Sequence, residues 1–268
     1  MPPTCPPTAA QEAHSKKPLT TAAVHSSSAV PPAGNSAQIS TALREAFPEM
    51  RTAEHYAAAR AALRRMGGAV ELLAELTRLG YAHEGKLTTG TTPFNVFARV
   101  ASGVMVQPGM DKETARLGKA SERFIIACNR PENDEHWESG EAEWVGKASM
   151  SKHHRFMLVR DLSWNLFNVI AFGMEGDSSL RKAVAMLEEM EAAARMYVAA
   201  SEGWSSDIGL YFHMYGHSSV NSLHLHIVDV ATKGPTFDAL AYKNLPLTAV
   251  LQVLRAELKP SMSKWVVE

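Results

Sequence analysis

The sequence is short of cysteine, of net charge and of long apolar runs, and each shortage excludes a class of protein. Two cysteines in 268 residues, Cys5 and Cys128, build neither a disulfide framework nor a cysteine-based zinc module, so a reducing compartment fits best. Lys and Arg together number 27 against 28 Asp and Glu, so no summed field draws the chain onto nucleic acid in general or onto a membrane surface. Any anion it binds is held by local geometry. No run of about eighteen apolar residues occurs, so no membrane span is expected. The N-terminus lacks the apolar core of a secretory signal, and its early residues, though poor in acids, contain no Arg; the expected location is the cytoplasm, with nucleus and mitochondrion left open.

What is present is enough apolar material for a sizeable core, 46% against 21% charged, in one large domain or two small ones. Residues 1–36 are rich in Pro, Thr, Ser and Ala and are expected to form a disordered tail, because they cannot bury enough surface to offset their ordering entropy. Residues 37–87 read as an accessory helical region: Ile39, Leu43 and Phe47 recur at spacing four, Tyr56, Ala59, Leu63 and Met66 follow, Gly67-Gly68 interrupts a helix pair and Gly80 stops it. Residues 88–268 read as the main domain. Phe94 to Val100 suits a short helix, while Arg123 to Cys128 and Phe156 to Val159 suit strands. Asp177 or Ser178 can cap a long helix through about Ala200. Gly209 to Met214 and Ser222 to Val230 are two further strands, and Pro246 suits the first turn of a final helix through Leu258. That order predicts an α+β fold, a mainly antiparallel sheet with flanking helices on one face.

The chemistry is concentrated in His217-Ser-Ser-Val-Asn-Ser-Leu-His-Leu-His-Ile-Val-Asp229. Side chains alternate along a strand, so Leu223, Leu225 and Ile227 share the core face while Ser222, His224, His226 and Val228 share the other. Two imidazoles then stand about 7 Å apart at the backbone and can address one ligand together. A neutral imidazole is nucleophilic without a strong base, and its ordinary pKa keeps much of it neutral. Its neighbour can protonate or polarise a leaving group. The turn His217-Ser218-Ser219 offers hydroxyls and backbone N–H groups for anionic oxygens.

Ser222-Leu-His-Leu-His-Ile-Val228 resembles the His-x-His-x-His motif of the histidine-triad (HIT) superfamily, with serine in place of the first histidine. The stretch from Phe212 to His226 is similar to the aprataxin/Hint-like branch of that family. The resemblance implies a HIT-like fold and a nucleotide or nucleotide conjugate as ligand. Phosphoanhydride or phosphoramidate bonds, including those of dinucleoside polyphosphates, would be cleaved at the α-phosphorus through a nucleotidyl intermediate on His224, with His226 as its catalytic partner. It places Ser219 and Ser218 at the phosphate, with His217, His213, Ser222 and His154 around the nucleotide; His153 is a second match to the histidine before the strand. It further implies a homodimer and no cofactor. The zinc finger of aprataxin has no counterpart among two cysteines, so repair of adenylated DNA is not implied.

Other readings of the same residues stand beside this one. Two histidines on a half-exposed strand face can be plain polar surface. His-x-His is also zinc-ligand spacing, with His213 or His217 as a third ligand. With Ser222 in the motif, a nucleotide-binding or interaction module with little turnover is a further alternative.

Overall fold

The apolar periodicity of the N-terminal third is realised as three helices, α1 (Ile39–Ala46), α2 (Ala53–Arg65) and α3 (Gly68–Arg78). The structure is a computed structural model that describes residues 38–90 and 94–258; the expected tail over residues 1–36 lies outside the described residues. Thr52 caps α2 by accepting the His55 N–H at 3.3 Å. Gly67, at φ 102°, turns the chain into α3, and a Cβ there would come within 2.3 Å of Glu71 Cγ, so glycine's freedom is used at this turn.

A two-stranded ribbon, β1 (Ala82–His83) and β2 (Lys86–Leu87), leads into α4 (Val96–Ala101) and α5 (Met110–Ala115). Then come β3 (Phe124–Ala127), α6 (Pro131–Glu135), β4 (His154–Val159), α7 (Asp177–Ala199), β5 (Ile208–Phe212) and β6 (His224–Asp229). The described chain closes with α8 (Pro235–Ala239), β7 (Leu245–Pro246) and α9 (Leu247–Leu258). β3 to β7 form one antiparallel sheet in the order β3-β4-β6-β5-β7, so the architecture is α+β with β6 at the centre. Two helix starts differ from the sequence expectation. Gly176 occupies the cap of α7 and Asp177 sits in its first turn, where a carboxylate meets the positive end of the helix. Pro246 pairs with Tyr211 in β7, and α9 begins one residue later.

The helices cover both faces of the sheet, where one was expected. Phe124, Ile126, Met157, Leu225 and Ile227 pack with Leu187 and Met190 of α7 and Leu251 and Leu254 of α9. On the opposite face Ile125, Ala127, Phe156 and Leu158 form a smaller cluster with Phe97 and Val100 of α4 and Met110 of α5. The reason lies in β3 and β4, which are apolar at consecutive positions and so need cover on both sides.

The N-terminal helices belong to the same core, which runs without a break across residues 87 and 88. Leu43, Tyr56, Leu63 and Leu72 are fully buried in the cluster that contains Leu225. Arg60, on α2, is also fully buried; it holds Glu257 of α9 through two bonds of 2.9 and 2.6 Å and donates to the Ile170 carbonyl at 3.2 Å. Among the described residues no helix is long and apolar enough to cross a membrane.

Candidate active site

Register places the site. β6 runs between β4 and β5, so His226 lies opposite Phe156 and Tyr211, and His224 opposite Leu158. With Leu225 and Ile227 in the large core, both histidines project to the face covered by α4. That face is not half-exposed: His154, His213, His224 and His226 are between 4% and 7% accessible. Their rings are close neighbours. The centroids of His224 and His226 are 4.9 Å apart, and His226 is 4.1 Å from His213 and 5.3 Å from His154. Phe97 packs edge-on to His224 at 4.9 Å and Phe156 lies 5.0 Å from His226.

Backbone donors and acceptors fix which nitrogens carry protons. His154 Nδ1 receives the Met150 N–H at 3.3 Å and the Asn129 side-chain amide at 3.2 Å, so the neutral ring carries its proton on Nε2. That N–H donates to His226 Nδ1 at 3.1 Å, which puts the His226 proton on Nε2. His226 Nε2 is buried and has no hydrogen-bond partner among the described residues. His224 is arranged in the opposite sense: its Nδ1–H donates to the Ser222 carbonyl at 2.8 Å, leaving the Nε2 lone pair available. One ring therefore presents a lone pair and the next presents a donor.

All four imidazoles are held neutral. Burial lowers the pKa of His154 to about 3 and that of His224 to about 4, and drives His213 and His226 well below the ordinary value. No carboxylate is a cause of any of these shifts. Positive charge at the site comes from Lys243, Arg130 and Lys147, which all line it; the Lys243 ammonium donates to the His217 carbonyl at 3.3 Å, and its own pKa is lowered by burial.

These groups face a cavity of about 750 Å³, large enough for a nucleotide. His154, His213, His224, His226, Ser218 and Ser219 all line it, together with Lys243, Phe97, Phe156 and Asn129. His217 and Ser222 do not line it. The His217 ring turns away and its Nε2–H donates to the Phe47 carbonyl at 2.8 Å, fastening the turn to the N-terminal helices. The Ser222 hydroxyl accepts the Ala98 N–H at 2.9 Å and so anchors the first turn of α4, the helix that carries Phe97. His153 stacks on Trp204 and is also outside the cavity. Sequence reasoning missed Lys243, Asn129, Phe97 and Phe156 as site residues. The adjacent polar pair Lys243-Asn244, set just before an apolar helix, was a signal: Asn244 Oδ1 accepts the His213 Nε2–H at 2.9 Å.

Among the described residues no three His, Cys, Asp or Glu side chains converge as a set that could hold a metal ion. The ring nitrogens of His154 and His226 that face each other are joined by a hydrogen bond, and His213 Nε2 is engaged by Asn244. No protein-family model, no curated protein and no solved structure matches the chain.

Proposed function

We propose that this protein is a histidine-triad type nucleotidyl hydrolase or transferase, with His224 as the nucleophile toward the α-phosphorus of a nucleotide conjugate. The observation that carries this reading is the pair of oppositely set tautomers. His224, with its Nε2 lone pair directed away from the Ser222 contact, and His226, whose buried Nε2–H has no partner among the described residues, line the same cavity.

In the first step His224 Nε2 forms a bond to phosphorus as the bond to the leaving group breaks, and the leaving group departs with that electron pair. The positive charge that develops on the ring is shared through Nδ1–H with the Ser222 carbonyl. His226 Nε2–H donates to a nonbridging phosphoryl oxygen, and Lys243 supplies the charge that four neutral imidazoles cannot. In the second step water, or another acceptor, bonds to phosphorus while the P–N bond breaks and its pair returns to Nε2; the attacking water gives up a proton to solvent. A neutral His226 is a weak acid, because losing its proton would leave an anionic ring in a dry site. It serves better as a hydrogen-bond donor, which favours groups that leave as stable anions or arrive already protonated.

Turnover of adenosine phosphoramidate, dinucleoside polyphosphates and cap analogues by wild type and His224→Ala tests the reading. A loss of roughly 10³-fold or more in the variant is expected. Equal turnover by both removes the nucleophile. One observation favours the alternative of a binding module with little turnover: the Ser222 hydroxyl is spent on α4 and takes no part at the cavity. Calorimetric binding of a nucleoside monophosphate, with no turnover of any of these substrates, would select it.

A further inference from the structure

The turn that lines the histidine cavity also borders a second recess. A separate cavity of about 370 Å³ lies between this turn and α1, lined by Ser40, Thr41 and Arg44 from the helix and by Tyr215, Ser218 and Ser219 from the turn. Ser218 and Ser219 line both cavities. The contact with α1 is direct: Gly216, at φ 95°, lies so close that a Cβ would come within 2.6 Å of the Ser40 carbonyl oxygen. His217 fastens the turn to Phe47, and the buried Glu75 joins the two walls by accepting the Tyr215 hydroxyl at 2.7 Å and the Ile39 N–H at 2.5 Å. The second cavity is thus a fixed part of the fold, and the N-terminal helices build half of it.

Arg44 is exposed and makes no hydrogen bond or ion pair among the described residues, although it lines this cavity. The side-chain hydroxyl of Ser219 likewise has no partner among them. A guanidinium and a hydroxyl left open in a polar recess match the oxygens of a phosphate group. Among the described residues no acidic side chain lines the recess to compete for the guanidinium.

We infer that this recess holds the leaving group of the reaction, and that the leaving group carries phosphate, as in a second nucleotide or another phosphorylated product. The inference rests on the nucleotidyl-transfer reading of the histidine cavity. This requires the substrate to cross at Ser218 and Ser219, the residues common to both cavities, with the transferred nucleotide on the side of Phe97 and the departing phosphate on the side of Arg44. The N-terminal helices, which carry none of the four histidines, thereby acquire a part in choosing substrates.

Two measurements on the full chain test this. In the first, inorganic pyrophosphate is titrated calorimetrically into wild type and Arg44→Gln; an affinity about tenfold or more weaker in the variant is expected, and equal affinity, or no binding to wild type, overturns the inference. In the second, kcat/KM is compared for a dinucleoside polyphosphate and for adenosine phosphoramidate, whose leaving group has no phosphate. Arg44→Gln should raise KM about tenfold for the first substrate and leave the second unchanged within about twofold. Equal effects on both substrates contradict a leaving-group role. If neither substrate is turned over by wild type while pyrophosphate still binds through Arg44, the nucleotidyl-transfer reading falls and the anion recess stands.

Discussion

His154 donates from Nε2 to Nδ1 of His226 across 3.1 Å, and it does so because Met150 and Asn129 occupy its other nitrogen. The bond sets the proton of a ring on the neighbouring strand. His154→Ala removes that donor and lets His226 take the tautomer whose Nε2 lone pair would repel phosphoryl oxygens. A fall in kcat of about ten- to a hundredfold is expected, the worth of a hydrogen bond to a charged group. Nitrogen-15 NMR of the imidazoles supplies the check: His226 protonated on Nε2 in wild type, and a mixture of tautomers in the variant. An unchanged tautomer with unchanged kcat would show that His154 does not position His226.

The depressed histidine pKa values tie stability to pH. Between pH 6.5 and about 4 the unfolded chain takes up a proton at residue 224 that the folded chain refuses, so the unfolded state binds more protons and stability falls as pH falls. Through His224 alone the cost at the low end is on the order of 3 kcal/mol, and His154, His213 and His226 act in the same direction. Denaturant midpoints are expected to drop steadily as the pH falls below 6.5. Over the range where the protein stays folded, kcat/KM should show no loss near pH 6.5, because the nucleophile of the free enzyme remains neutral to about pH 4. An acid limb centred near 6.5 would mean that His224 is solvated like an ordinary histidine.

Ser222 stands where the histidine-triad motif that this segment resembles has a histidine, and its hydroxyl makes a contact to α4. Ser222→Ala leaves the buried Ala98 N–H without its acceptor and should cost about 1–3 kcal/mol. Placing a histidine there with Ser222→His should also destabilise the fold, since the hydroxyl is already 2.9 Å from Ala98 N and a larger ring must displace the helix. Thermal denaturation of both variants reads this directly. A Ser222→His protein more stable than wild type would show that the pocket is roomier than this packing allows.

Arg60 joins α2 to α9 from a fully buried position. Arg60→Ala strands Glu257 with only the exposed Arg64 beside it and empties a core site, so a loss of about 3–5 kcal/mol is expected. Urea unfolding gives the value. A loss below about 1 kcal/mol would place the N-terminal helices outside the cooperative core.

The parts of this site that were legible in the sequence are those carried by local periodicity. Alternation of Leu223, Leu225 and Ile227 with His224 and His226 marked the strand and its faces, whereas His154 was singled out through the family resemblance, with His153 as the alternative. The cover on the histidine face was foreshadowed as well, by strands apolar at every position from Phe124 to Ala127. What was not legible depends on contacts between distant segments. His217 stands beside the motif yet bonds Phe47, a residue 170 positions away, and nothing local distinguishes that from a phosphate contact. Lys243 reaches the cavity only because a two-residue strand, β7, pairs with β5 and fixes the preceding turn. Ser222 read as a replaced motif residue, whereas its hydroxyl is matched to a helix over a hundred residues earlier.

The proposed nucleophile, His224, is tested most directly by a search for its covalent adduct. Wild type mixed with adenosine phosphoramidate or a dinucleoside polyphosphate is quenched within the first turnover and digested under mildly alkaline conditions that preserve phosphoramidates, and the peptides are sequenced by mass spectrometry. The expected result is adenylate on His224, absent from His224→Ala. Adenylate on His226 or His213, or turnover with no adduct at any quench time, would contradict the arrangement of lone pair and donor described here.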